Sequence, residues 1–293
     1  SIASIANTAT AATLGAADLN LPVILGSSGT QATLRFTGAT ASSNKYFTLA
    51  AGGTGAFDIS TSGGLTLSSP ILGSGALVKL GSGTLTLSGN PSQYTGPTTI
   101  SAGRIVLGNQ YAMWQSPYDS TGSTGAIGLV VTGQATPWLG GIAGSVNLAT
   151  AITSYGSTVS SLVLNPQAGT SVTYSGVVAN GTSTGMSLVK TGAGTQTLTG
   201  VNTYSGATQV WAGTLALGGA SGSILTSSTV TVLGGVLSLD NTAGWTNRLA
   251  DSGTYALGSL TLTAPAATSG TETIGVTAFA TGGKVTVANG AAG

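Results

Sequence analysis

The sequence predicts an all-β protein with the architecture of a parallel β-solenoid built from short strands. Short alternating apolar runs recur between Gly, Asn and Ser residues, and one segment of about thirty residues occurs twice. Helical patterns are nearly absent, because apolar residues do not recur at spacings of three and four and Gly, Ser, Thr and Val are frequent. Repetition at a fixed spacing is typical of a solenoid, in which each turn packs on its neighbours.

The predicted strands are short and follow one another along the chain. The clearest runs are 33–36, 65–67, 84–87, 98–100, 104–107, 230–239, 259–263 and 284–287. Each is bounded by residues that favour turns. With about 20 residues per turn and ~4.8 Å between turns, we expect roughly 14 turns and a rod on the order of 70 Å long.

The duplicated segment occupies residues 77–108 and 188–218 of a solenoid predicted to span 27–293. When Lys79 is aligned with Lys190, the two copies correspond along their whole length, except for one extra residue in a turn of the first copy. Gly allows tight corners, Lys is expected at the edge of a turn, and Tyr is expected to pack on the next turn. These structural positions are Lys79, Gly83, Tyr94 and Gly103 in the first copy and Lys190, Gly194, Tyr204 and Gly213 in the second.

The two copies resemble the passenger-associated repeat of bacterial autotransporters. The matching stretches are "LVKLGSGTLTLSG" with "YTGPTTISAGRIVLG", and "LVKTGAGTQTLTGVNTYSGATQVWAGTLALG". They cover about a fifth of the chain. The resemblance implies a right-handed parallel β-helix, located extracellularly or on the cell surface of a Gram-negative-type bacterium.

Composition argues against several functions. Charged residues make up 4% of the chain and the net charge is +1, so nucleic acid and anionic membranes have little to bind. Cys and His are absent, which removes disulfides and the commonest general base and metal ligand. The apolar runs are far shorter than the ~18 to 20 residues of a membrane-spanning helix. We therefore expect no cofactor, no bound metal and no enzymatic activity.

The acidic residues are too scattered along the sequence to suggest a catalytic pair. They are Asp18, Asp58, Asp119, Asp240, Asp251 and Glu272. A polysaccharide-cleaving β-helix enzyme is disfavoured, because glycoside hydrolysis needs paired carboxylates. A groove that combined three of Asp58, Asp119, Asp240, Asp251 and Arg248 would favour it.

Two segments are candidate contact surfaces. An aromatic insertion at 109–125 contains Tyr111, Trp114 and Tyr118, which would contact a carbohydrate or a neighbouring subunit if exposed, or would fold back over the solenoid. Residues 1–26 form an N-terminal cap or an exchangeable arm. The apolar contact residues there are Leu21, Val23, Ile24 and Leu25.

The sequence leaves two functions open. The leading prediction is an extracellular structural protein that assembles with itself, end to end or by strand exchange, into a surface filament or layer. A chain with so little charge has few means of blocking the open edges of its terminal turns. The alternative is an adhesin passenger domain that binds surface glycans through the aromatic insertion. The first residue is Ser1 rather than Met, so we expect a removed signal segment or a longer protein.

Overall fold

The strands stack in parallel into a β-solenoid of about 11 turns, which confirms the predicted fold class. This computed structural model describes residues 21–60, 63–131, 133–180, 185–244, 247–264, 272–275 and 277–289. Partner residues on paired strands lie between 19 positions apart, as for Thr195 and Thr214, and 26 apart, as for Ser161 and Ser187. Most turns are longer than the expected 20 residues. The expected 14 turns are therefore not reached, and the stack is about 50 Å long.

The first half of the solenoid has three faces. Face 1 consists of β1 (Val23–Leu25), β4 (Phe47–Leu49), β7 (Ile71–Gly73) and β10 (Gln93–Tyr94). Face 2 consists of β2 (Gln31–Phe36), β5 (Thr54–Ile59), β8 (Ala76–Leu80), β11 (Thr98–Ile100), β13 (Tyr118–Asp119) and β16 (Ile142–Ala143). Face 3 consists of β3 (Ala41–Ser43), β6 (Gly64–Leu67), β9 (Thr84–Leu87), β12 (Arg104–Leu107), β14 (Gly128–Val130) and β17 (Ile152–Thr153).

The second half continues faces 1 and 2 with regular strands. Face 1 passes through Met113, which bridges to Leu139, and continues with β15 (Trp138–Leu139), β18 (Ser161–Leu164), β20 (Ser187–Lys190), β22 (Thr208–Val210) and β24 (Thr229–Val232). Face 2 passes through a bridge from Gly144 to Tyr174 and continues with β19 (Ser171–Tyr174), β21 (Thr195–Leu198), β23 (Thr214–Leu217) and β25 (Val236–Asp240). The long strands β26 (Thr254–Ala264) and β27 (Thr277–Asn289) pair along both faces.

Two single-turn helices, α1 (Leu148–Ala151) and α2 (Tyr155–Thr158), interrupt the strands near the middle of the chain. Within the ranges described here, no helix has the length and apolar character needed to span a membrane.

The core is a set of apolar stacks that run along the solenoid axis. On face 3 one such stack is formed by in-register, buried side chains: Leu65, Leu85, Ile105, Leu129 and Ile152. Side chains alternate between the two sides of a strand, so the neighbours of Leu65, Leu85 and Ile105 are partly exposed. Each buried aliphatic side chain stabilises the fold by roughly 1.5–3 kcal/mol.

The two repeat copies lie on different faces of the solenoid. By alignment, β20 and β21 of the second copy correspond to β8 and β9 of the first. However, β8 belongs to face 2 and β20 to face 1, while β9 belongs to face 3 and β21 to face 2. The second copy is therefore rotated by one face, about a third of a turn around the axis, relative to the first.

The regular ladder on face 2 is interrupted between the copies, and a side chain fills the gap. The N–H of Ile142 donates to Gln196 Oε1 at 2.9 Å, and Gln196 Nε2 donates to the carbonyl oxygen of Ile142 at 2.9 Å. Gln196 Nε2 also lies 3.2 Å from the carbonyl oxygen of Val172 on the intervening turn. Gln196 is fully buried and occupies the position that Leu85 has in the first copy. Its amide thus takes the place of a missing strand contact.

Candidate binding site

An apolar cleft opens on the outside of the solenoid, beside the turn that follows the first repeat copy. Its volume is about 390 Å³, and its walls are Asn90, Pro91, Tyr111, Trp114 and Trp138. The ring centroids of Tyr111 and Trp138 lie 5.5 Å apart, and the two ring planes make an angle of 56°. None of the five wall residues carries a formal charge. The volume is that of a small-molecule site, for which about 300–1,000 Å³ is usual.

Hydrogen bonds to the turn below hold the aromatic walls in place. Asn109 Nδ2 donates to the carbonyl oxygen of Gly89 at 3.1 Å, and Asn109 Oδ1 accepts from the N–H of Tyr111 at 2.8 Å. Trp114 Nε1 donates to the carbonyl oxygen of Ser92 at 2.6 Å. The insertion is thus anchored to the solenoid, so little ordering is left for a ligand to impose.

Three polar groups at the cleft have no hydrogen-bond partner within the described part of the chain. They are the hydroxyl of Tyr111, the Nε1–H of Trp138 and the side-chain amide of Asn90. The indole is a donor only, whereas the hydroxyl and the amide both donate and accept. These groups contribute almost nothing to the surface that faces the cleft, which is nearly all apolar.

Tyr118 does not belong to this surface, and its predicted contact role is corrected here. Its side chain is buried, because the alternation along β13 directs Tyr118 inward and leaves Asp119 partly exposed. The Tyr118 hydroxyl bonds to Ser123 Oγ at 2.8 Å and donates to the carbonyl oxygen of Ala151 at 3.1 Å. Burial raises the pKa of Tyr118. This tyrosine holds neighbouring turns together instead of meeting a partner.

The apolar N-terminal residues lie on the first described turn. Val23, Ile24 and Leu25 form β1 and pair in parallel with β4. Leu21 is 77% exposed and Ile24 64% exposed, while Leu25 is buried. Residues 1–20 of the predicted cap or arm lie outside the described residues. A contact role for this segment stays a prediction.

Lys79 and Lys190 are buried in the corners of their turns, whereas the sequence suggested a position at the edge. Each ammonium group has three N–H donors and uses all of them on backbone carbonyls. The acceptors of Lys79 are Leu80, Gly81 and Ala102, at 2.6, 2.8 and 3.2 Å. The acceptors of Lys190 are Thr191, Gly192 and Ala212, at 2.7, 2.8 and 3.0 Å. In both cases the third carbonyl belongs to the next turn, so each lysine clamps two turns together.

Burial lowers the pKa of both lysines to about 8. The three carbonyl oxygens favour the charged amine and oppose this effect, as does the Asp58 carboxylate near Lys79.

The tyrosines and glycines of the repeat also occupy matching environments. The Tyr94 hydroxyl bonds to Thr98 Oγ1 at 2.8 Å, which bonds to Ser116 Oγ at 2.8 Å. Tyr204, Thr208 and Ser227 form the same chain of hydroxyls at 2.6 and 2.8 Å. The serines lie beyond the predicted ends of the copies, so the structural repeat is longer than the sequence repeat.

The corner glycines are required by close backbone approach. Gly103 and Gly213 have φ angles of 65° and 60°. A Cβ atom at either position would lie 2.3 Å from a carbonyl oxygen on the turn below, that of Gly83 or of Gly194 respectively. The four predicted glycines therefore form two matched contacts between adjacent turns.

Asp58, Asp119 and Asp240 lie too far apart to form an acid pair. They lie on β5, β13 and β25 of face 2, which are separated by three and then five turns, or about 14 and 24 Å. Asp58 is paired with Arg35 at 3.2 Å. Within the described ranges, no three His, Cys, Asp or Glu side chains lie close enough to hold a metal ion.

Arg248 lies beside Asp240 but has no free donor for a substrate. It is fully buried, and all five of its guanidinium N–H groups donate to protein oxygens. The acceptors are Asn241 Oδ1 and the carbonyl oxygens of Gly218, Gly219, Gly222 and Asp240.

The corner that corresponds to the cleft in the second copy is closed. There the turn at 218–222 contains only Gly, Ala and Ser, and Arg248 of the following turn binds its carbonyl groups. In the first copy the turn carries Tyr111, and Trp138 of the following turn stands beside it. The cleft is therefore a departure from the repeat.

Sequence reasoning missed Asn90, Pro91 and Trp138. The first copy has one more residue than the second at Asn90 and Pro91. This difference in length was the sequence signal for the part of the cleft that these two residues form. Trp138 follows Trp114 by 24 positions, which is the length of one turn. The spacing places Trp138 on the next turn, but two positions out of register with Trp114, because Met113 on this face pairs with Leu139.

The fold and the site define a β-solenoid repeat protein with an aromatic cleft on its outer surface. The model of the passenger-associated-transport-repeat family matches residues 77–107 and 188–217. Together with the relative described next, this match confirms the resemblance: the chain carries passenger-associated β-repeats of the autotransporter type.

The chain is similar to the adhesin BmaC autotransporter of Brucella suis biovar 1 (strain 1330). The two are 32% identical over 232 residues, which cover 74% of this chain and 6% of that protein. The chain thus spans a small part of the length of this relative. No solved structure matches the chain at a significant level.

Proposed function

We propose that the chain is a non-enzymatic adhesin module of an autotransporter passenger, exposed at the surface of a Gram-negative bacterium, and that its aromatic cleft binds glycans. The observation that carries this proposal is the aromatic cleft lined by Tyr111, Trp114 and Trp138. The similarity to an adhesin supports the same class of function.

The chemistry of the cleft suits a sugar. Aromatic faces pack on the apolar C–H faces of a pyranose ring, and the edges of the ring carry hydroxyls that need hydrogen-bond partners. Among the wall residues, Tyr111, Trp138 and Asn90 carry polar groups of this kind, while the surface that faces the cleft is almost wholly apolar. Because the walls are already anchored, binding would lose little conformational entropy.

An adhesin has more support than a filament subunit. The relative is an adhesin by name, and the departure from the repeat at the cleft points to a ligand. Self-assembly stays a prediction. Electron microscopy of the purified chain at high concentration tests it, because filaments or layers would favour it and dispersed particles would count against it.

The decisive experiment is a glycan array followed by titration of the best glycan. Replacing Trp138 with Ala removes one wall, and losing about 1–2 kcal/mol of aromatic contact should weaken binding roughly 5- to 30-fold. Trp211→Ala is the matched control, since Trp211 is 44% exposed and lies on face 1 three turns away from Trp138. Unchanged affinity of Trp138→Ala, or equal losses in both variants, would exclude the cleft as the glycan site.

A further inference from the structure

The surface that faces the cleft is almost wholly apolar, and this limits which part of a sugar can enter it. None of the wall side chains is charged, and the N–H of Trp114 is already donated to the carbonyl oxygen of Ser92 at 2.6 Å. A hydroxyl that enters the cleft therefore leaves water without gaining a partner, and this weakens binding. The part of a glycan that is buried here must consist of carbon and hydrogen.

A 6-deoxyhexose offers such a part, whereas an ordinary hexose does not. Carbon 6 of a hexose carries a hydroxyl, and in the 6-deoxy sugar the same carbon is a methyl group. The methyl group gains free energy on leaving water, whereas the hydroxyl loses it. Together with the C–H groups of one ring face, the methyl forms a continuous apolar patch that matches the aromatic walls of the cleft.

The size of the cleft suits the last sugar of a glycan chain. Its volume of about 390 Å³ is near the lower end of the range for small-molecule sites. A terminal sugar can place its methyl group and one ring face in the cleft while its hydroxyls and the glycosidic oxygen stay in water. A sugar inside a chain has neighbours on both sides, which a cleft of this volume does not accommodate.

We infer that the cleft selects glycans that end in a 6-deoxyhexose over glycans that end in the corresponding hexose. This inference rests on the proposed glycan-binding function and adds its ligand class. Because almost no polar surface faces the cleft, the arrangement of the remaining hydroxyls is hardly recognised. We therefore expect 6-deoxyhexoses of different stereochemistry to bind with similar affinity.

The test uses two pairs of methyl glycosides that differ only in the hydroxyl on carbon 6. They are the α-L-fucoside with the α-L-galactoside, and the α-L-rhamnoside with the α-L-mannoside, each titrated against the whole chain by NMR. We expect the 6-deoxy member of each pair to bind about tenfold more tightly. The fucoside and the rhamnoside should differ by less than about threefold. In saturation-transfer spectra the methyl protons on carbon 6 should receive the most magnetisation from the protein.

Two variants show whether the apolar surface sets the preference. Tyr111→Phe removes the only hydroxyl among the wall side chains and keeps the ring, so the preference should stay at about tenfold. Trp138→Ala removes part of the apolar wall and should weaken binding of both 6-deoxy sugars. Trp211→Ala is the control and should leave both affinities unchanged, because Trp211 is 44% exposed and lies outside the cleft.

The outcomes separate this inference from the proposed function. Equal affinity within both pairs, or a preference that disappears in Tyr111→Phe, would overturn the selectivity and leave glycan binding standing. Failure of the fucoside and the rhamnoside, with a charged glycan or an ordinary hexose bound at the cleft instead, would also overturn it. If no glycan on the array binds, both proposals fail.

Discussion

Replacing Gln196 with Leu tests whether a side chain completes the backbone ladder at the boundary between the repeat copies. The change installs the residue that the first copy has at the matching position, Leu85. It removes both partners of Ile142, whose N–H and C=O each lie 2.9 Å from the amide. Leaving a buried polar group unpaired costs about 1–3 kcal/mol, so two groups cost about 2–6 kcal/mol. Burial of the new leucine side chain offsets about 1.5–3 kcal/mol of this loss.

The net expectation is therefore a loss of about 2 kcal/mol in the free energy of unfolding, measured by denaturant titration with circular dichroism. Gln209→Leu is the matched control, because Gln209 is half-buried on the outer surface and accepts only from Trp211 Nε1. It should change stability by less than about 0.5 kcal/mol. The reciprocal change Leu85→Gln should also destabilise, because the ladder there is regular and leaves no gap for an amide. A Gln196→Leu variant as stable as the parent would refute the ladder argument.

Two further predictions concern the repeat itself. Burial lowers the pKa of Lys79 and Lys190 from 10.5 to about 8. Between these two pH values the unfolded chain binds more protons than the folded chain, so the free energy of unfolding should rise from about pH 8 to about pH 9.5. Denaturant midpoints at both pH values test this, and the double Lys→Met variant should show a flatter profile; a midpoint that falls with pH would contradict it. Gly213→Ala should lose about 2–4 kcal/mol, because φ is 60° and the new Cβ would lie 2.3 Å from the carbonyl oxygen of Gly194. Thermal unfolding measures this loss, and Gly125→Ala, where a Cβ would meet nothing within 4 Å, should leave the midpoint unchanged.

The strands and the repeat could be predicted because they depend on local patterns. Alternation in the predicted runs 84–87 and 104–107 matches β9 and β12 residue for residue. The number of turns was harder to predict from the sequence, because the corners vary in length and an inserted residue barely changes the apolar pattern. The predicted run 230–239 shows this directly, because Gly234 and Gly235 divide it into β24 and β25.

The candidate site was only partly predictable, because a cleft depends on which residues meet across turns. Tyr111 and Trp114 were found by their local density, but Tyr118 in the same insertion points inward. Lys79 was expected at an edge because charged residues are usually exposed. Its burial depends on three carbonyls brought together by two corners, which the sequence pattern does not reveal.

Stability and binding are carried by different residues of the same repeat architecture. The lysine clamps, the corner glycines and the hydroxyl chains recur in both copies with nearly the same distances. The cleft residues occur at one corner only, and at the equivalent corner Arg248 fills the space and binds the turn. Because successive turns are held by the ladder and the clamps, a corner can be opened or closed without changing the strands. The second copy is rotated by one face, so its corner at 218–222 points to a different side of the solenoid from the corner that forms the cleft. A surface that contacts one of these corners therefore does not contact the other. A solenoid of this kind acquires a binding site by varying one corner while the repeat maintains the fold.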